Sequence, residues 1–250
     1  MGAARRLSHR RRVGILPPVL RAVLFDAGET LVHPAPSFPE LFVRVLADAG
    51  EERSLDDVLA ASAAVLHRFS EAAADRELWT TSPERSAAFW TGVYDRMLAE
   101  LGVADADGLP ATLYATFTDR ANYALFDDVP ATLDVLAGRG LALGIVSNFE
   151  AWLEDLLADL GVRERFPVRV ISGLEGIEKP DPAIFHRALE RLGVAPHEAA
   201  YVGDNPEFDV DPPASLGMTA VLIDRRDRHP DHEGVRVRDL RDLPGVLEAA

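Results

Sequence analysis

Several polar and ionisable residues stand just after apolar runs of the chain, where buried strands are predicted to end: Asp26, Ser147, Asn148, Asp204 and, five positions further on, Asp209. In an open parallel sheet, ligands bind beyond the carboxyl ends of the strands, so these positions matter most. Carboxylates brought together there repel one another and raise at least one pKa unless cations neutralise them. The acidic side chains therefore suit a hard cation held by oxygen ligands.

The chain contains a single lysine, Lys179, among 26 basic residues, and every other one is arginine. It stands in a loop directly after Glu178 and before Pro180. An ammonium group is a compact charge with three donors, which a planar guanidinium does not reproduce. A lysine kept at this one position indicates a geometric requirement.

Each of these residues also has a purely structural interpretation. An aspartate followed closely by a glycine is common in turns, which is the alternative for Asp26. The alternative for Ser147 and Asn148, and for Asp204 and Asn205, is a helix N-cap. The alternative for Lys179 is a solvated surface charge. The occurrence of all these residues in one order at strand ends favours a shared site.

The elements that must position these residues alternate along the chain. Short continuous apolar runs predict buried strands at Ala22–Phe25, Leu141–Val146, Val168–Ile171, Ala199–Val202 and Ala220–Ile223. Helical patterns with proline or acid at the start are found at Pro130–Ala137, Ala151–Leu160, Pro182–Leu192 and Pro244–Ala249. Alternating strands and helices predict an α/β fold with a doubly wound, Rossmann-like parallel sheet.

Residues 34–123 contain no convincing strand, and their apolar residues fall at helical spacing. The alanine-rich stretch Ala60–Ala74 has a composition that favours helix. We therefore predict an α-helical domain of residues 34–123, inserted into a core domain of residues 21–33 and 124–250.

Composition excludes several classes of protein. The formal net charge of -15 argues against nucleic acid as a general partner, because phosphate backbones repel an acidic surface. The absence of cysteine excludes disulfides, zinc-thiolate sites and iron-sulfur clusters, and it fits a cytoplasmic protein. No apolar run approaches the roughly 20 residues that span a bilayer, so no membrane segment is predicted. No particular oligomeric state is predicted.

Residues 1–20 differ from the rest of the chain in charge. They contain five arginines and no acidic residue. We predict a basic disordered tail. A targeting or nucleic-acid-binding arm is the alternative, although the apolar centre of a secretory signal is missing.

The four polar segments, in this order, resemble the haloacid dehalogenase superfamily of hydrolases. Its phosphatases carry an aspartate motif after the first strand, a serine or threonine after the second, then a lysine and an acidic motif. The corresponding segments here are Phe25-Asp26-Ala27-Gly28-Glu29-Thr30-Leu31, Val146-Ser147-Asn148, Glu178-Lys179-Pro180-Asp181-Pro182 and Val202-Gly203-Asp204-Asn205, followed by Asp209. The resemblance covers about residues 21–225.

The resemblance implies a nucleophile and a metal. Asp26 would attack phosphorus and become an aspartyl-phosphate, which splits one difficult displacement into two easier ones. A Mg²⁺ ion would be bound by Asp26, the backbone carbonyl of Gly28 and Asp204, with Asp209 holding the metal or its waters.

The resemblance also implies how the substrate is bound. Ser147 and the amide region of Asn148 would donate hydrogen bonds to the transferring phosphoryl group, and Lys179 would neutralise it. The substrate class that follows is a small phosphorylated metabolite.

The first motif departs from the family at one position. Phosphatases of this family place a second aspartate two residues after the nucleophile, where it protonates the leaving alcohol and later activates water. Gly28 occupies that position here, and Glu29 is expected to point away. Loss of a general acid-base group typically lowers the rate by about 10²- to 10⁴-fold.

Three alternatives follow from this departure. The protein cleaves phosphates with good leaving groups, such as acyl or aryl phosphates, or it binds a ligand and catalyses little, or it displaces halide. Halide displacement ranks last, because the family's dehalogenases usually carry an aromatic residue at the position of Gly28 and need no pair like Asp204 and Asp209.

The helical insert is expected to act as a cap that closes over the site and selects the substrate. Loops on rigid scaffolds carry recognition, so the predicted specificity elements are His33–Phe42 and Thr80–Ser82. Trp79, Trp90 and His67 are predicted to belong to the core of the cap.

Overall fold

The computed structural model describes residues 20–75, 77–103 and 107–249. Its strands are β1 (Ala22–Phe25), β2 (Val32–Pro34), β3 (Tyr123–Leu125), β4 (Ala142–Ser147), β5 (Val168–Ile171), β6 (Ala199–Gly203), β7 (Thr219–Ile223) and β8 (Val235–Val237). Six of them form one sheet in the order β5-β4-β1-β6-β7-β8. Every pairing in that sheet is parallel.

The helices are α1 (Phe38–Asp48), α2 (Leu55–Ala61), α3 (Ala63–Asp75), α4 (Pro83–Glu100), α5 (Leu109–Thr118), α6 (Val129–Gly138), α7 (Leu153–Asp159), α8 (Ser172–Glu175), α9 (Pro182–Leu192), α10 (Asp211–Ser215) and α11 (Leu243–Ala249). Their ends follow sequence signals, as α9 shows. Asp181 accepts a hydrogen bond from the Ala183 amide at its start, and Gly193 follows its last residue with φ 66.

Helices cover both faces of the central sheet. Along β1, Val23 and Phe25 belong to one hydrophobic core with residues of α6, α7 and α11. Their neighbours Ala22 and Leu24 belong to a second core with residues of α9. Side chains alternate between the faces of a strand, so this division requires a sheet that is buried on both sides. The predicted doubly wound α/β fold is confirmed.

Helices α1 to α5 form the insert and have a hydrophobic core of their own, which includes Leu41, Phe42, Leu46, Val93 and Met97. The chain enters the insert through β2 and leaves it through β3. These two strands pair antiparallel, with Val32 opposite Leu125 and Pro34 opposite Tyr123. The predicted domain boundaries at 33/34 and 123/124 therefore fall inside this strand pair.

The sequence placed five strands of the sheet to within about one residue, and Val168–Ile171 coincides with β5. It missed β2, β3 and β8, which are three residues long and too short to show a period. The stretch Ala60–Ala74 is helical as its composition indicated, except at Ser62, which separates α2 from α3 and whose hydroxyl donates to the Leu59 carbonyl at 2.6 Å.

The sequence also predicted that the chain has no membrane segment and that residues 1–20 form a basic tail. No helix in residues 20–75, 77–103 and 107–249 is long and apolar enough to cross a bilayer. The predicted basic tail lies outside the described residues except for Leu20.

Gly144 in β4 is required by close packing. A Cβ there would lie 2.6 Å from Cδ2 of Leu24 and 3.0 Å from the Val168 carbonyl oxygen. Gly144→Ala is expected to lower the free energy of unfolding by about 1–3 kcal/mol. Gly92→Ala in α4 is the control, since its Cβ meets nothing within 4 Å, and it should raise stability by about 0.5–1 kcal/mol. Urea unfolding measures both, and equal effects would contradict the packing argument.

Candidate active site

Three neighbouring strands carry predicted site residues to one edge of the sheet. β1 lies between β4 and β6. Asp26 directly follows β1, Ser147 ends β4 and Asp204 directly follows β6. The Asp26 amide donates to the Val202 carbonyl at 2.9 Å, which keeps the end of β1 level with that of β6. The residues therefore meet at the carboxyl edge, as predicted for a parallel sheet.

The ammonium group of Lys179 lies among three acceptors. Nζ donates to Oδ1 of Asp26 at 2.7 Å, to Oδ1 of Asp209 at 2.6 Å and to the Tyr201 hydroxyl at 3.1 Å. Burial alone would lower the pKa of Lys179, but the carboxylates of Asp209 and Asp26 outweigh burial and raise it above its ordinary value. With 3% of the side chain exposed, the interpretation as a solvated surface lysine is wrong.

Ser147 contacts Asp26 and Asn148 contacts Lys179, and neither residue caps a helix. The Ser147 hydroxyl donates to Oδ1 of Asp26 at 2.8 Å. Nδ2 of Asn148 donates to the Lys179 carbonyl at 2.8 Å, and the Lys179 amide donates to Oδ1 of Asn148 at 2.7 Å. The Asn148 side chain therefore fixes the backbone of Lys179, and only its backbone amide is left for the predicted contact with a phosphoryl group.

Two further residues complete the network: Tyr201, which the sequence analysis did not name, and Asn205, which it named as part of the acidic motif and as a possible cap. The Tyr201 hydroxyl donates to the Val146 carbonyl at 2.7 Å and lies 3.2 Å from Oδ1 of Asp209. The Asn205 amide donates to Oδ2 of Asp209 at 3.0 Å, and its side chain caps the π-helical turn Pro206–Val210. The available signal was a tyrosine inside an apolar strand, because a buried hydroxyl needs a partner.

The three carboxylates converge as the metal prediction requires. Asp26, Asp204 and Asp209 each offer an oxygen, and these oxygens lie within 4.8 Å of one another. Burial, with repulsion from Asp209 and Asp26, raises the pKa of Asp204 well above its ordinary value. Burial also raises the pKa of Asp209, although Lys179 opposes it. Oxygen donors of this kind suit a hard divalent cation, which would relieve the repulsion.

Among the described residues, the turn after β1 leaves the Gly28 carbonyl without a donor, as it does the carbonyls of Asp26 and Glu29. The Ala27 carbonyl accepts from the Leu31 amide at 2.8 Å and from the Val32 amide at 2.9 Å. Within the part of the chain that the structure describes, no backbone amide of this turn donates to the Gly28 carbonyl. That carbonyl is the predicted backbone ligand of the metal.

Nothing in the backbone demands glycine at position 28. A Cβ added to Gly28 would meet only Cε2 of Phe149, at an ordinary distance of 3.8 Å, and φ is not in the left-handed region. Glu29 does have a positive φ of 55, and its carboxylate accepts from Arg226 at 2.8 Å. Glu29, whose carboxylate is the nearest in sequence to position 28, is thus paired with Arg226.

A cavity of about 570 Å³ connects the carboxylates to the insert. Its wall on the core side contains Asp26, Lys179, Asp204 and Asp209. Its wall on the insert side is mainly apolar and includes Leu59, Val65, Leu66, Phe69, Trp90 and Phe117. The charged site therefore opens into a space whose other wall is largely hydrocarbon.

A buried polar contact joins the insert to the Lys179 loop. The Thr80 hydroxyl donates to Oε1 of Glu178 at 2.9 Å, the Thr80 amide donates to the same oxygen, and the hydroxyl also contacts that of Ser172. Burial raises the pKa of Glu178, and the hydrogen bonds from Thr80 partly offset it. Thr80, which was predicted to select substrates, is thus largely occupied in binding the insert to the core.

The other predictions for the insert have mixed outcomes. Trp79 is buried in its core, and Trp90 packs against that core and borders the cavity. His67 is predicted wrongly as core, because 73% of its side chain is exposed and Nε2 lies 3.2 Å from Glu71. Three members of His33–Phe42 line the cavity: Pro34, Phe38 and Pro39.

The chain matches the haloacid dehalogenase-like hydrolase family over residues 20–217. Haloacid dehalogenase-like hydrolase domain-containing protein 3 of Danio rerio is 31% identical over 244 residues, which are 92% of this chain and 97% of that protein. The phosphoserine phosphatase of Thermus thermophilus is 33% identical over 247 residues, which are 90% of this chain and 98% of the relative.

A solved structure agrees with these relatives. The haloacid dehalogenase-type phosphatase of Thermococcus onnurineus has a TM-score of 0.59 and 26% identity, over 91% of this chain and 98% of that one. The chain belongs to the haloacid dehalogenase-like hydrolases, as its four motifs indicated.

The raised pKa of Asp204 makes a prediction about stability. The folded state binds more protons than the unfolded state between the unfolded-state and folded-state pKa, so the metal-free protein should lose stability as pH rises through that interval. Asp204→Asn is expected to weaken this dependence and to stabilise the metal-free protein near neutral pH. Thermal unfolding across pH measures the change.

The same variant tests the metal site. Mg²⁺ at a hundredfold its Kd should stabilise the wild-type protein by about 2.7 kcal/mol. This gain should be lost in Asp204→Asn and kept in Asp155→Asn, whose exposed carboxylate in α7 is not part of the cluster. An equal Mg²⁺-induced shift in all three proteins would contradict a site at Asp204.

Proposed function

We propose that the protein is a magnesium-dependent phosphatase that uses Asp26 as nucleophile on small phosphorylated molecules with good leaving groups. The observation that carries this proposal is the buried ammonium group of Lys179, which binds Asp26 and Asp209 at once. A carboxylate that is held, buried and charge-compensated in this way is suited to attack an anionic phosphoryl group. The cytoplasmic location predicted from composition is part of the same proposal.

The two oxygens of Asp26 are in different surroundings. Oδ1 accepts from Ser147 and Lys179. Among the described side chains and amides, no hydrogen bond to Oδ2 is found, so that oxygen is the one open to the cavity. In the proposed first step an Asp26 oxygen bonds to phosphorus while the ester oxygen departs, and water then hydrolyses the aspartyl-phosphate.

The residues that would hold Mg²⁺ are Asp26, Asp204, Asp209 and the carbonyl of Gly28. Bound there, Mg²⁺ would supply positive charge opposite the phosphoryl oxygens and offset the repulsion among the carboxylates. Lys179 contributes charge from the protein side and stays protonated throughout, because two carboxylates raise its pKa.

The absence of an acid at position 28 restricts the leaving group. Gly28 carries no proton donor, and the nearest carboxylate, Glu29, is paired with Arg226. An alkoxide would therefore depart unprotonated, which is slow, whereas an aryloxide or a carboxylate leaves readily. This chemistry favours aryl and acyl phosphates over alkyl esters such as sugar phosphates.

The first experiment is to measure Mg²⁺-dependent phosphate release from aryl, acyl and sugar phosphates. We expect turnover of the first two classes, loss of turnover in Asp26→Asn, and normal turnover in the exposed control Asp155→Asn. Release that persists in Asp26→Asn would contradict the proposed nucleophile. A complete lack of metal-dependent release would favour the alternative of a binding protein with little catalysis.

Restoring the missing acid is the second experiment. Position 28 accommodates a side chain, since a Cβ there makes only one ordinary contact. Gly28→Asp is expected to raise kcat/KM for alkyl phosphates by up to about 10²- to 10⁴-fold and to change aryl phosphate turnover much less. Gly28→Asn is the matched control, because it adds similar volume without an acid. Equal gains in both variants would show that the effect is not acid catalysis.

A further inference from the structure

Helices α2 and α3 line the cavity with apolar side chains that remain partly exposed. Leu59 in α2 is 52% exposed and Leu66 in α3 is 45% exposed. Both line the cavity, together with Val65 and Phe69 of α3. Residues three and four positions apart share a helix face, so Phe69 lies on the same side as Leu66 and Val65. The result is a continuous apolar wall.

The opposite wall continues this apolar surface next to the reacting groups. Phe149 and Trp152, in the segment after β4, line the cavity with their ring centroids 4.7 Å apart. The nearest atom to a Cβ at Gly28 is Cε2 of Phe149. The space left open at position 28 therefore borders an aromatic ring, and it lies beside the nucleophile Asp26.

Several polar groups of this cavity are already occupied. The Glu150 carboxylate accepts from the hydroxyl groups of Ser86 at 2.7 Å and Tyr114 at 3.1 Å. The Ser70 hydroxyl donates to Glu207 at 3.3 Å. Recognition of a hydrophilic metabolite such as phosphoserine requires polar groups that are free to pair with it, because unpaired buried polar groups cost affinity. Arg226, Arg228 and His229 also line the cavity, and Arg226 is paired with Glu29, but the part between α2–α3 and the Phe149–Trp152 pair is bounded mainly by hydrocarbon.

We propose that the substrates are aryl phosphates, that is, phosphate monoesters of phenols with apolar substituents, whose organic part occupies the space between α2–α3 and the Phe149–Trp152 pair. This inference rests on the proposed phosphatase activity and specifies its substrate. Two independent features agree on it: the leaving group must be good because Gly28 has no acid, and it must be apolar because the cavity is. Aryl phosphates satisfy both requirements.

The reaction balances with water as the only co-reactant. The phosphorus–oxygen bond of the ester breaks as the Asp26–phosphorus bond forms, and the aryloxide leaves with the electron pair and takes a proton from solvent. Water then hydrolyses the aspartyl-phosphate. The products are inorganic phosphate and a phenol.

The test compares substrates of similar leaving-group acidity and different apolar area, namely phenyl phosphate and 4-propylphenyl phosphate, with phosphoserine as the hydrophilic reference. Burial of one methylene contributes about 0.8 kcal/mol, so kcat/KM should rise about fourfold for each methylene that becomes buried. Phosphoserine should be the poorest of the three.

Matched variants separate the cavity wall from general surface effects. Leu59→Gln and Leu66→Gln should reduce the preference for the propyl substrate. Leu55→Gln and Leu78→Gln should preserve it, because Leu55 is 48% and Leu78 40% exposed and neither lines the cavity. All four side chains are substantially exposed, so the variants are expected to fold.

The outcomes distinguish this inference from the proposed function. Phosphate release that is independent of apolar area and unaffected at Leu59 and Leu66 would overturn the inference and leave the phosphatase proposal standing. If no substrate is turned over, calorimetric binding of 4-propylphenylphosphonate against methylphosphonate decides the inference alone, and equal affinity rejects it. A dimer that dissociates in Leu59→Gln, without any change in substrate preference, would show that a second copy covers this wall and would likewise overturn it.

Discussion

The whole site depends on one buried ammonium group, that of Lys179, among carboxylates. Lys179 Nζ contacts Asp26 and Asp209, and Asp204 lies within the same cluster. Removing several charges from water is costly unless they compensate one another. One ammonium group does not neutralise three carboxylates, and burial together with repulsion from Asp209 and Asp26 raises the pKa of Asp204. A divalent cation is the simplest remedy, so the charge balance of the protein itself argues for a metal.

The sequence predicts much of this arrangement because parallel strands end at a common edge. Asp26, Ser147 and Asp204 were placed by locating strand ends, and strand order β4-β1-β6 then makes them neighbours. Lys179 stood out by composition. The partners of the Tyr201 hydroxyl and the pairing of Glu178 with Thr80 were not predictable, because these contacts join residues distant in sequence, and no local pattern encodes them.

The sequence also failed to predict the three-residue strands and the partner that a polar side chain binds when several are available. β2, β3 and β8 have only three residues each, so their formation depends on the surrounding packing more than on their own pattern. The side chain of Asn148 could cap a helix or bind a phosphoryl group, yet it forms hydrogen bonds with the carbonyl and the amide of Lys179. Only the tertiary position of the Lys179 loop decides between those partners.

The contact between Thr80 and Glu178 links the insert to the loop that carries Lys179. Glu178 immediately precedes Lys179, is buried, and relies on Thr80 for its hydrogen bonds. If the insert moved away, this carboxyl group would lose those donors and exchange them for solvent beside the Lys179 loop. The protonation of Glu178, one residue before Lys179, therefore depends on the position of the insert. The insert, which forms the apolar wall of the cavity, is thus hydrogen-bonded to the loop that carries Lys179, and in the proposed function this contact couples enclosure of the substrate to the charged site.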